Sequence, residues 1–280
     1  MPMPSAQTEK YEAFRKLHEG DSTFVIPNPW NAGTARILTG MGFQALATTS
    51  AGLAFALGRR DSAECLTRAT VLENAREIVE ATDLPVSADL EEGFGPSPET
   101  CAETIRLASE TGLVGGSIED ATGQKDNPIF DFNQAVDRVV ASVEAAKDLP
   151  FLLTARSENF LYGRPDLDDT IKRLQAFSEA GADVLYAPGL PGLDAIRTVC
   201  ASVDKPVNVV MGLKGKPFSV EELQEAGVKR ISVGGSFARA ALGAFVRAAQ
   251  EVKENGTFTY AGSAIPDAET AAFMDGTKRT

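Results

Sequence analysis

Short apolar runs rich in Val, Ile, Leu and Phe recur along this chain, each bounded by Gly, Pro, Asp or Asn. The pattern predicts strands over 23–27, 45–49, 85–90, 114–118, 151–155, 184–187, 207–211 and 230–233. Between them, apolar positions at three- and four-residue spacing among good helix formers predict helices over 31–39, 67–81, 98–111, 133–146, 167–180, 193–201, 220–226 and 236–253. Runs such as FLLTA and PVNVVM are apolar throughout rather than alternating, which suits parallel strands whose two faces are both dry. Start and stop signals agree: Ser97-Pro98 and Asp166 or Asp168 stand at helix starts, and Gly40, Gly112, Gly181 and Gly227 follow helix ends, where glycine readily turns left-handed. Each strand is followed by one helix, so eight successive units predict an α/β fold of the (β/α)8 TIM barrel type. No linker or shift of composition divides the chain, so a single domain over 1–280 is expected, with an N-terminal helix extension in 1–20 and a C-terminal tail over 256–280. Within the extension, 8–19 reads as a polar amphipathic surface helix.

Composition narrows the function. A net charge of −12 without a basic stripe argues against a polyanionic partner such as nucleic acid. No apolar run reaches the roughly 18 residues that span a bilayer, and the opening MPMPSAQTEKYEAF lacks the apolar core of a signal peptide, so no membrane partner and a cytoplasmic location are expected. Cys65, Cys101 and Cys200 form no CxxC pair and are expected to be reduced. The one histidine, His18, excludes multi-histidine metal centres and is read as structural.

Chemistry on a (β/α)8 barrel gathers at the C-terminal ends of the strands. There the chain places TTSAG (48–52), ADLEEGFG with Asp89, Glu91 and Glu92, SIEDATG with Glu119 and Asp120, TARSEN with Arg156 and Glu158, and Asn208 on the seventh strand. Carboxylates crowded at one mouth repel unless a cation or a proton neutralises them. An oxygen-only ligand set selects a hard ion, and Mg²⁺ is the natural candidate, with Mn²⁺ as a substitute. Asp89 and Glu91 are two apart and would point the same way if the strand ran that far. Arg156 has the fork that grips a carboxylate in two places; the alternative is a salt bridge to Glu158 or Glu119. TTSAG offers hydroxyls and amides to a carboxylate. The GGS at 234–236 either binds phosphate or only permits a tight turn.

On the stretches ATTSAG with Asp61 in LGRRD, SADLEEGFG, GLVGGSIEDATG, LLTARSENF, GADVLYAPGL and KPVNVV, the chain resembles the isocitrate lyase / phosphoenolpyruvate mutase superfamily over nearly its whole length. The resemblance implies a Mg²⁺-dependent enzyme on a small 2-oxo or 2-hydroxy carboxylic acid, with an enolate formed during C–C cleavage by decarboxylation, retro-aldol or Claisen lysis, or hydrolysis. It implies Asp89, Glu91 and Glu119 at the metal, Glu91 standing where many relatives have Asp. It places Asp61 near the metal shell and Ser50, Ala51 and Gly52 around the substrate carboxylate. It implies Arg156 and Asn208, with Asp89, in substrate binding, and Arg156, Glu119 and Asp61 as catalytic residues. Relatives of this type are tetramers whose last helix packs on a neighbour, which implies the same for 236–253 and the tail.

Departures from the family pattern bear on the reaction. Isocitrate and methylisocitrate lyases carry a Lys-(Lys/Arg)-Cys-Gly-His motif after the fourth strand, whereas this chain reads ATGQKDNPIF, without Cys or His. Those two activities are therefore not expected, and the short loop implies a more open pocket. Thr48 stands where relatives often have an aromatic residue. No asparagine-rich gating loop is seen, which ranks phosphoenolpyruvate or phosphonopyruvate mutase or hydrolase chemistry second and a non-catalytic ligand-binding barrel third.

Overall fold

The computed structural model describes residues 5–61, 65–213 and 215–276. The chain runs α1 (Ala6–Glu19), β1 (Phe24–Ile26), α2 (Ala32–Gly40), β2 (Leu46–Ala47), α3 (Ser50–Ala56), α4 (Arg68–Glu80), β3 (Val86–Asp89), α5 (Pro98–Glu110), β4 (Gly115–Glu119), α6 (Phe132–Ala146) and β5 (Leu152–Arg156). It continues through α7 (Leu167–Glu179), β6 (Val184–Tyr186), α8 (Leu193–Ser202), β7 (Val207–Val210), α9 (Val220–Glu225), β8 (Arg230–Ser232), α10 (Ser236–Asn255) and α11 (Asp267–Met274). The strands form one parallel sheet ordered β1-β8-β7-β6-β5-β4-β3-β2, a nearly closed (β/α)8 barrel. Its seam between β1 and β2 is stitched by the Ala47 amide on the Pro27 carbonyl (3.0 Å). Asn28 adds to it, donating to the Thr48 carbonyl (2.8 Å) and accepting from the Val233 and Gly234 amides (2.8 and 2.9 Å).

Local chemistry explains the element ends. Ser97 caps α5 ahead of Pro98, and Asp166, not Asp168, caps α7 through the Asp169 amide. Gly112, Gly181 and Gly227 take φ of 89°, 102° and 91° as expected, but Gly40 is still helical and the left-handed residue after α2 is Gly42 (φ 86°). Outward strand residues and inward helix faces form one shell, with Ile78, Ile105, Leu153 and Phe177 nearly inaccessible.

One expectation is corrected. The helix over 8–19 is not a surface extension: α1 closes the bottom of the barrel, where Phe14 and the half-buried Tyr11 and Leu17 pack with Phe24, Ala45, Val114 and Leu152. Gln7 and Lys10 tie α1 to the carbonyls of Ser109, Leu113 and Thr82. The tail carries its own structure. Gly256 ends α10 in a left-handed turn (φ 64°), a 3-10 turn covers Thr259–Ser263, and α11 returns to α2, with Phe273 buried and the Met274 carbonyl accepting from Arg36 (2.6 Å). No helix among the described residues is long and apolar enough to cross a membrane.

Candidate functional site

Strand alternation places Asp89, Glu119 and Arg156 at the C-terminal mouth of the barrel, while Asp120 turns outward to accept from Arg173 and from the Glu158 amide. Arg156 directly opposes Glu119 in the ladder. Its guanidinium meets three carboxylates: Asp89 Oδ1 at 3.0 Å, Glu119 Oε2 at 3.0 Å and Glu158 Oε1 at 2.8 Å. Both salt-bridge alternatives read from the sequence are therefore present. The Tyr186 ring lies against this guanidinium, 4.9 Å away.

One cation does not balance this many acids. Carboxylate oxygens of Asp89, Glu91 and Glu119 all lie within 4.8 Å of one another. Burial, then the charge of Asp89, pushes the Glu91 carboxyl up to about 8. Burial raises Glu119 as well, against the pull of Arg156. Such crowding is relieved by a proton or a cation, and three oxygen donors without nitrogen or sulfur fit a hard divalent ion such as Mg²⁺. Glu91 reaches the cluster by a route that alternation does not supply. β3 ends at Asp89, and Glu91 adopts a left-handed backbone (φ 51°) that swings its side chain to the same side; an L-residue there costs about 1–2 kcal/mol.

Beside the cluster opens a cavity of about 200 Å³, lined among others by Asn28, Thr48, Asp61, Tyr186, Asn208 and Arg230. Ser50, Ala51 and Gly52 form the first turn of α3, capped by Thr49, whose hydroxyl accepts from the Gly52 amide (3.3 Å). That amide is thus already engaged. The Ser50 hydroxyl donates to Asp89 Oδ2 at 3.0 Å and stands among Glu91 and Asp61. Burial, then Asp89, raises the Asp61 carboxyl. In the GGS turn at 234–236 the Gly234 amide binds Asn28 (2.9 Å) and the Ser236 amide the Val233 carbonyl (3.1 Å). The ATGQKDNPIF segment folds on itself through an Ala121–Ile129 bridge and the Thr122 hydroxyl on the Asn127 carbonyl.

Several lining residues carried little signal in the sequence. Arg230, buried in the layer beneath, donates from Nε to Asn208 Oδ1 (2.8 Å), from Nη2 to Thr154 (2.9 Å) and from Nη1 to His18 Nε2 (3.3 Å). This orients Asn208 so that its Nδ2 points to Ser232 (3.1 Å). All three acceptors of Arg230 are neutral, and burial lowers the guanidinium to about 10. Arg230 and Ser232 share the inner face of β8 at a spacing of two, which was the only available clue.

The comparisons extend this picture to the whole chain. A sequence model of the family described as phosphoenolpyruvate phosphomutase matches residues 14–253. The 2-methylisocitrate lyase of Shewanella oneidensis is 30% identical over 251 residues, 87% of this chain and 85% of that protein. Among solved structures, a provisionally assigned lyase/mutase from Burkholderia cenocepacia J2315 superposes with a TM-score of 0.93 at 56% identity, covering 96% of both chains. A 2,3-dimethylmalate lyase superposes with a TM-score of 0.83 at 25% identity over 98% of this chain and 95% of its own. The match runs from within α1 to near the end of α10 and takes in every strand that builds the acidic mouth. The chain therefore belongs to the isocitrate lyase / phosphoenolpyruvate mutase superfamily.

Proposed function

We propose that this protein is a Mg²⁺-dependent lyase that cleaves a C–C bond of a small 2-oxo or 2-hydroxy mono- or dicarboxylic acid through an enolate. The observation that carries this reading is the convergence of Asp89, Glu91 and Glu119 within 4.8 Å, facing Arg156 at the rim of a cavity of about 200 Å³. The lyase activities named for its relatives support it. So does the cavity, which suits a compact acid better than an extended one.

Asp89, Glu91 and Glu119 would hold the ion, for which Mn²⁺ would substitute. When bound, Mg²⁺ supplies a Lewis acid for the charge that develops on substrate oxygen. Arg156 has five N–H groups, of which three face acids, and the remaining two orient a substrate oxygen and oppose enolate charge. The first turn of α3 receives the substrate carboxylate through the Ala51 amide while the Ser50 hydroxyl holds Asp89, and Asn208, steered by Arg230, presents the amide N–H that it does not give to Ser232. Asp61 stands beside Ser50 as an acid whose raised pKa eases proton uptake. Burial raises the Tyr186 phenol further above its ordinary value, so the cavity wall carries no phenolate charge there. The working form is a cytoplasmic homotetramer.

Proton and phosphorus NMR of products from oxaloacetate, substituted malates, methylisocitrate and phosphonopyruvate, with Mg²⁺ and then with chelator, tests the proposal. Metal-dependent pyruvate or oxalate from a carbon substrate is expected. Rearranged or released phosphorus would move the protein to the mutase branch, and silence across the panel would leave a binding barrel.

A further inference from the structure

The loop after β3 runs against backbone preference. Between Glu91 and Phe94, three of four residues are left-handed: Glu91 (φ 51°), Gly93 (φ 85°) and Phe94 (φ 62°). Glu91 and Phe94 are the only non-glycine residues with positive φ among those described. An L-residue leaves this region when nothing holds it there. Nor is Gly93 replaceable: a Cβ on it would lie 2.8 Å from Cys101 Sγ.

The restraint comes from α6. Arg138 donates to the Gly95 carbonyl at 2.7 Å and to the Glu92 carbonyl, and its guanidinium lies 4.2 Å from the Phe130 ring centre. Thr104 of α5 adds a bond to the Gly93 carbonyl at 2.8 Å. Arg138 is 1% exposed, its Nε has no hydrogen-bond partner, and it forms no salt bridge among the described residues. A buried cation with no carboxylate in direct contact, only the longer-range charge of Glu92, Asp120 and Glu119, is an expensive way to fill space. Its polar contacts all go to the backbone of the one loop whose shape aims Glu91.

We infer that Arg138 is a positioning residue for divalent-cation binding: by gripping the carbonyls on either side of Gly93 and Phe94, it fixes the left-handed turn that brings Glu91 against Asp89 and Glu119. This rests on the reading of those three carboxylates as a cation site. Asp89 and Glu119 are held by the strand ladder. Glu91 lies past the end of β3, so loss of Arg138 removes the Glu91 contribution and leaves the other two in place.

Mn²⁺ alone is the probe, its affinity measured by electron paramagnetic resonance of the unbound ion. The proteins are wild type, Arg138→Met, Arg138→Lys, Glu91→Gln and the Arg138→Met/Glu91→Gln double variant. Arg138→Met is expected to weaken Mn²⁺ binding about ten- to a hundredfold, as loss of an outer-shell partner does, with partial recovery in Arg138→Lys. In the Glu91→Gln background the same change is expected to cost less than about twofold, because two residues acting through one contact are not additive. Wild-type affinity in Arg138→Met, or an equal loss in both backgrounds, overturns the inference. Should Arg138→Met not fold, Arg138→Lys and Thr104→Val, which frees the Gly93 carbonyl, carry the same cycle. Wild-type protein that binds no Mn²⁺ would defeat the cation reading of the triad itself, an outcome distinct from bound Mn²⁺ that ignores Arg138.

Discussion

Asp89 is the residue on which the site converges, touching Arg156, the Ser50 hydroxyl and the other two acids. Replacing it by alanine leaves Arg156 paired with Glu119 and Glu158, so no buried cation is orphaned. Asp89→Ala is therefore expected to keep its circular dichroism spectrum while turnover falls at least about a hundredfold; near wild-type rates would refute its role. Asp89, Glu119 and Arg156 could be read from sequence because each closes an apolar strand run, where period-two alternation and barrel geometry name the inner face. The approach of Glu91 could not, since no residue type announces a left-handed glutamate. Arg230 and Tyr186 stayed hidden because one polar residue in a strand means nothing until the register is known. His18 is read correctly as structural, and its environment sets a testable pH dependence. Burial and the charge of Arg230 hold its imidazole down to about 3, against 6.5 in the unfolded chain. The unfolded state therefore takes up the proton first. The His18 contribution is intact above pH 6.5 and is lost toward pH 3 at about 1.4 kcal/mol per pH unit. The raised carboxyls Glu91, Glu119 and Asp120 act with the opposite sign, so the comparison is with His18→Gln. Urea midpoints at successive pH values below about 6.5 are expected to show the advantage of wild type shrinking with acid; a constant gap sinks the assignment.

Among elements, the strands and the eight helices that follow them are readable because apolar period, caps and glycine stops agree, and only their ends shift by a residue or two. What escapes is what has no period. The α3 sequence SAGLAFA is short and almost wholly apolar or small, so it passes for a loop. The role of α1 escapes for a different reason: its mean composition is polar, yet Tyr11, Phe14, Leu17 and His18 fall on one stripe that the barrel floor covers. Phe14 is 0% exposed and reaches so far in that a Cβ on Gly115 of β4 would lie 3.0 Å from its ring. Truncating it opens a cavity at the bottom of the barrel and loosens His18, whose ring packs edge-on against the Phe14 ring with centroids 4.6 Å apart. Phe14→Ala is expected to lower unfolding free energy by about 3–5 kcal/mol in urea titrations. A loss below about 1 kcal/mol, within the range of ordinary surface changes, would return α1 to the status of an appendage.

At the scale of the molecule, α10 is out of keeping with the other helices. It is 20 residues long, yet Ala238 is its one buried residue. Phe237, Leu242, Phe245, Val246 and Val252 are exposed, Phe245 by 70%, and Phe258, Tyr260 and Ile265 continue the apolar surface into the tail. Each large side chain removed from water would contribute about 1.5–3 kcal/mol, and contiguous patches of this kind in a soluble protein mark an interface. A second copy is the simplest cover, because a symmetric pair lets one helix face satisfy both chains. Against this stands a net charge of −12 per chain, which repels copies at long range and is screened within about 10 Å at 0.1 M salt. Apolar burial at contact distance therefore wins at moderate ionic strength. Light scattering behind size exclusion is expected to show a homotetramer for wild type and smaller species for Phe245→Glu, whose circular dichroism and Mn²⁺ affinity stay unchanged because the substitution lies outside the barrel. A wild-type particle of 29.6 kDa at micromolar concentration would mean that α10 stands bare in solution and that its apolar face awaits a partner other than a second copy of this chain.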